Sequence, residues 1–167
     1  MNNQTPNGAH TGARTIPLTP SATGICEGAH VMTMDGHLPI EYLLLGDRVI
    51  TDAGARRLQL ITAAPVKGCG VLIRKGALGP QRPIDDMYLA PQQRIQLLDW
   101  NNGALWGSDQ TGVPIERLID GDRIKWPDRV GPPLTYHLDF GEDVVIYVEG
   151  LEVPCPTAMR GKRSFAA

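Results

Sequence analysis

Aromatic side chains are scarce, at 5% of 167 residues. Long apolar runs are missing altogether. None approaches the roughly 20 residues that a helical membrane span requires, so no membrane span is expected. The first 23 residues, from Met1 to Thr23, lack the apolar centre of a signal peptide. The cytoplasm is therefore the default location, with other export routes left open. No stretch of ten residues keeps an uninterrupted helical period. The 19 glycines and 14 prolines make up about a fifth of the chain, against average usage of roughly 12%. Both residues terminate helices, which excludes a helical bundle.

Cysteine pairs are absent too. Cys26, Cys69 and Cys155 are odd in number, far apart, and contain no CxxC spacing. That argues against a zinc site and against a disulfide framework, and no metal or cofactor is expected. An excess of positive charge is missing from the body of the chain. Residues 1–23 hold a single charged side chain, Arg14, and the last nine hold Arg160, Lys162 and Arg163. Between them stand 12 lysines and arginines against all 18 acids. A net negative body does not displace counterions from phosphates, so nucleic acid is not an expected partner. Both ends read as disordered: a leader over 1–23 and a basic tail over 158–167, flanking a domain over 24–157.

Within 24–157 turn signals recur about every ten residues. Asp35-Gly36 separates two apolar-containing runs and predicts a hairpin, and Asp52-Ala53-Gly54 gives a second turn. Asn101-Asn102-Gly103 gives a third turn, with Trp100 and Trp106 placed for a cross-strand contact. Val144-Val145-Ile146-Tyr147-Val148, flanked by Gly141 and Gly150, is the strongest strand former. The expected fold class is all-β. An internal repeat adds detail: Pro39–Val49 matches Pro114–Ile124 without a gap, with Pro, Ile, Glu, Leu, Gly, Asp and Arg coinciding. Each segment predicts one helical turn, started by Pro and ended by Gly, and then a strand. Two related halves with pseudo-two-fold symmetry are the expectation.

The run from Gly28 to Val49 resembles the opening of a Hint (Hedgehog/intein) domain, with its nucleophile, G-T and P-[IV]-E-x-L-x-x-G-D-x-V elements. Lys75–Gly79, Leu89–Ile95, Val113–Ile124, Tyr136–Phe140 and Glu149-Gly150 resemble later elements of the bacterial branch, in the same order. The resemblance implies an all-β horseshoe and autoproteolytic ancestry. In that chemistry a first-residue Cys or Ser attacks the preceding carbonyl, assisted by a Thr-x-x-His block and a later His or Asp.

Carried over residue by residue, the resemblance places the nucleophile slot on Gly24, two residues before Cys26. The hydroxyl and His of the second block fall on Ala90 and Gln93, the late His on Asp143, and His137 stays near the closing element. Glycine has no nucleophile, and glutamine cannot relay a proton at neutral pH. Only 25 residues precede Cys26, and no His-Asn/Cys junction follows the domain. The expected function is thus a pseudoenzyme, a non-cleaving structural or interaction module with a protein partner. The alternative is self-processing by Cys26.

Other side chains have simpler readings. Cys69 between glycines is expected to be a loop thiol, and Cys155 between prolines an exposed, oxidisable one. His30 and His37 are expected on opposite faces of the first hairpin. Asp85-Asp86 reads as a solvated turn beside Pro83. Asp47-Arg48 and Asp122-Arg123 read as turn-fixing and surface charges.

Overall fold

The computed structural model describes residues 19–97 and 112–158. Among them are fourteen short strands and two single turns of 3₁₀ helix, which bears out the all-β expectation. The strands are β1 (Ile25–Cys26), β2 (His30–Thr33), β3 (Gly36–Pro39), β4 (Arg48–Thr51), β5 (Gly54–Arg57), β6 (Leu60–Pro65) and β7 (Val71–Ile73). They continue with β8 (Met87–Leu89), β9 (Arg94–Ile95), β10 (Val113–Pro114), β11 (Ile124–Lys125), β12 (Leu134–Asp139), β13 (Val144–Val148) and β14 (Leu151–Cys155).

One sheet runs β11-β7-β8-β1-β12-β6, and a second runs β14-β13-β2-β4-β5 with β3 also paired to β2. β9 and β10 form a separate pair. Every pairing between these strands is antiparallel. Strand alternation supplies the core. In β13, Val144, Ile146 and Val148 point inward, and Leu151, Val153 and Cys155 do so in β14. These join Ile25, Val31, Val49, Val71, Ile73 and Leu89 in one apolar cluster. Each such side chain contributes about 1.5–3 kcal/mol by leaving water.

The expected hairpin and the second expected turn both form as hairpins with two-residue loops. Thr33 pairs with Gly36 and Thr51 with Gly54, so the first loop is Met34-Asp35, one residue earlier than expected. In both, the threonine hydroxyl before the loop donates to the carbonyl of the glycine after it and accepts the amide of the second loop residue. The hairpin register also corrects the placement of His30 and His37. Met32 lies opposite His37 and His30 opposite Pro39, so the two histidines share a face, because side chains alternate with period two. The turn at Asn101-Asn102-Gly103, with Trp100 and Trp106, lies outside the described residues.

The two repeated segments adopt matching local structure. 3₁₀ turns occupy Ile40–Tyr42 and Ile115–Leu118, following Pro39 (φ −55°, ψ 138°) and Pro114 (φ −60°, ψ 134°). Ile40 and Ile115 are fully buried. Gly46 and Gly121 both adopt left-handed φ, at 90° and 80°. A strand follows each.

The chain before β1 is tied down earlier than the expected end of the leader at residue 23. Ser21 donates its amide to the Pro65 carbonyl and accepts from the Lys67 amide, docking beside the end of β6. At the other end, Ala158 and Thr157 are held by Asp139 and Asp143.

Candidate functional site

β1 lies between β8 and β12, with Ile25 opposite both Leu89 and Tyr136. The chain enters β1 through Ser21–Gly24, flanked by the Ala90–Gln93 loop on one side and by β12 on the other. Two backbone bonds fix this entry: the Ala90 amide donates to the Gly24 carbonyl at 3.1 Å, and the Gln92 amide to the Ala22 carbonyl at 2.8 Å. The Ala90–Gln93 loop is held in turn by the second repeated segment. There Ile115 donates its amide to the Gln93 carbonyl, and Glu116 to that of Pro91.

Four of the six positions singled out from the sequence converge here. The buried Gln93 side chain accepts the Gly24 amide at 2.8 Å through Oε1 and donates through Nε2 to the Arg94 carbonyl at 3.0 Å. Gly24 has φ +112°, a conformation that L side chains rarely adopt. A Cβ there would lie 2.2 Å from Thr135 Oγ1 and 3.1 Å from His137 Cε1. The glycine is thus required twice over, by backbone conformation and by space. Ala90 is fully buried and contributes only its backbone.

Cys26, two residues on, points elsewhere. It is 0% exposed, and its Sγ faces Gly70, where an added Cβ would come within 3.1 Å. Burial pushes its thiol up to about 12, with smaller contributions from Glu27 and Cys69. A thiol so placed holds its proton at neutral pH. Asp143 is exposed at the far wall of the cleft, where its Oδ1 accepts the Thr157 amide at 2.9 Å.

The sequence reading overlooked the hydroxyls around this glycine. Thr23 Oγ1 lies 2.9 Å from His137 Nε2, and Ser21 Oγ lies 3.3 Å from the same nitrogen. Ser21 Oγ donates to the Thr23 carbonyl at 3.0 Å, and Thr135 Oγ1 donates to that carbonyl at 3.2 Å. Burial lowers the pKa of His137 below its ordinary 6.5, partly offset by a hydrogen bond with the Thr23 backbone. The imidazole is therefore neutral at pH 7 and able to accept a proton. Thr23 and His137 border an open cleft of about 830 Å³ that also takes in Gln93, Arg94, Leu138, Asp143, Val144 and Val153. Nothing in the sequence spacing pointed to Thr23, because its partners stand more than a hundred positions away.

The remaining candidates separate from this site. Cys155 was expected to be exposed but is buried. It lies in the inward-facing register of β14, and burial, with a smaller effect of Asp139, pushes its thiol up to about 12. Cys69 is half-buried in a loop. His30 Nδ1 pairs with Glu149 Oε1 at 2.7 Å, and His37 is exposed. Asp86 accepts the Lys75 amide at 2.7 Å, as a turn-fixing residue would. Among the described residues no group of three His, Cys, Asp or Glu side chains is placed to hold a metal. No helix among them is long and apolar enough to cross a membrane.

The all-β fold is the class that the motif order implied, and its opening strand is entered beside the Ala90–Gln93 loop and β12. The chain matches the Hint domain family over residues 23–157. It belongs to the Hint domain family. A search of the curated proteins finds no match.

Proposed function

We propose that this Hint domain does not cleave its own chain at Gly24 or Cys26 and serves as a structural or interaction module with a protein partner in the cytoplasm. The observation that carries this reading is the space at Gly24. A nucleophilic side chain in that slot would place its Cβ 2.2 Å from Thr135 Oγ1, and glycine itself has no group to form an acyl intermediate. Gln93, in the position of the assisting histidine, meets the Gly24 amide with a carbonyl oxygen. That contact accepts a hydrogen bond but supplies no proton to a leaving amine. The alternative, processing by Cys26, is opposed by complete burial and by a thiol raised to about 12.

The test is the intact mass of the purified chain after incubation with dithiothreitol or hydroxylamine. An unchanged mass is expected. Loss of the segment before Gly24 or Cys26, abolished by Cys26→Ala, would sink the proposal. Gly24→Cys is expected to destabilise the fold by roughly 2–5 kcal/mol through strained φ and overpacking, without starting cleavage.

A further inference from the structure

The cleft beside β1 holds a hydroxyl and an imidazole that a non-cleaving module has no use for. Thr23 is exposed, and its Oγ1 stands 2.9 Å from His137 Nε2, within reach for direct proton transfer. Of the two hydroxyls beside that nitrogen, Thr23 Oγ1 is the nearer: Ser21 Oγ lies 3.3 Å from it, donates to the Thr23 carbonyl and accepts the Thr23 amide at 3.2 Å. In the tautomer with the ring proton on Nδ1, Nε2 accepts the Thr23 hydroxyl proton. The backbone that carries Thr23 is pinned on both sides, through Gln92 to Ala22 and through Gln93 to Gly24. Leu138, Val144 and Val153 give the cleft an apolar wall.

We infer that Thr23 and His137 form an acyl-transfer site for carboxylic esters with a short apolar acyl group, distinct from any processing of the chain itself. Thr23 Oγ1 attacks the ester carbonyl while its proton passes to His137 Nε2. The new Oγ1–acyl bond forms, the ester C–O bond breaks, and the alcohol departs with the proton from Nε2. Water then attacks the acyl-threonine with His137 as base, releasing the acid and restoring the hydroxyl. The pairing of a weak nucleophile with an adjacent base follows the general logic of hydroxyl activation.

The experiment uses the full chain and p-nitrophenyl butyrate at neutral pH, followed by p-nitrophenolate absorbance, intact mass and peptide mapping. The expected result is a burst of one p-nitrophenolate per chain, with a single butyryl group mapped to Thr23. Thr23→Val abolishes the burst, and His137→Gln slows it by about 10²–10⁴-fold. Butyryl found only on Ser21, a lysine or the amino terminus overturns the inference, as does an unchanged burst in Thr23→Val. A pH profile of the unaltered chain keeps the claim testable should either variant fail to fold. Because burial lowers the His137 pKa, the burst rate rises through an inflection below 6.5 and is level at neutral pH. A rate that climbs steadily with hydroxide, with no inflection, overturns it.

Discussion

Pro39–Val49 and Pro114–Ile124 share seven of eleven residues, yet they are held in place by different means. Both begin with proline in extended backbone, make a 3₁₀ turn, and bury an isoleucine completely. In the first, the turn ends at Tyr42, and Leu43 is fully buried. In the second, the turn runs one residue further, and the matching Leu118 is only partly buried. Asp47 Oδ2 accepts the Leu44 amide in the first segment. In the second, Asp120 Oδ1 accepts the amides of Asp122, Arg123 and Ile124, a different set of donors. The turn-fixing role expected of Asp122 is taken there by Asp120. A shared sequence specifies the turn and its inward residue, and surroundings decide which carboxylate closes it.

The two segments also serve opposite flanks of the same site. The Ile40 amide donates to the Ala29 carbonyl, and Glu41 Oε2 accepts the Gly28 amide, which fixes the chain leaving β1. The Ile115 amide donates to the Gln93 carbonyl, which fixes the loop that meets the chain entering β1. One segment holds the exit and the other the entrance.

The sharpest way to break this comparison is to truncate the shared isoleucines. Ile40→Ala and Ile115→Ala are each expected to cost about 2–5 kcal/mol, read from denaturant unfolding. A cost below about 1 kcal/mol at either position would mean that the two turns do not anchor the core alike. Leu43→Ala and Leu118→Ala should then separate the segments, since burial differs. The first is expected to cost about 2–5 kcal/mol and the second about half as much or less, and equal values would erase the distinction. Asp47→Ala is a smaller perturbation, about 0.5–1.5 kcal/mol for one hydrogen bond to a backbone amide, checked in the same unfolding experiment.

The smallest effect is one of pH. Hydrogen bonds from the Ile124 and Asp122 amides, with a further one from Arg123, hold the Asp120 carboxyl below its ordinary 3.8. Its folded-state pKa is depressed, so its contribution is present above the unfolded value and is lost as pH falls through the lower folded one. An NMR titration is expected to place Asp120 below 3.8, and Asp120→Asn to flatten the acid limb of the stability curve. A normal titration would remove it from the role of closing the turn.

Much of the fold was legible because the signals are local. The loops before Gly36 and Gly54, the strand Val144–Val148 and the 3₁₀ turns after Pro39 and Pro114 each depend on the φ, size or alternation of adjacent residues. Where the reading failed, the missing term was register or burial. His30 and His37 share a face because Met32 stands opposite His37 and His30 lies two residues from Met32 on the same strand. Cys155 is inside because β14 alternates inward from Leu151, which its two flanking prolines do not reveal. Ser21 looked like part of a polar leader, and it is the pairing beside Pro65 and Lys67 that orders it.

The amino-acid sequence alone determined which side chains the slot before β1 is built with: none at Gly24, a methyl at Ala90 and an amide at Gln93. These are properties of single side chains and travel with the residue. Tertiary structure decided what surrounds that slot. Thr23 meets His137 across 114 positions of chain, and Gly24 meets Gln93 across 69. Both meetings depend on β1 lying between β8 and β12 in one register. A shift of a single residue would turn the side chains to the other face, so no local pattern of hydroxyls and imidazoles could have foretold them.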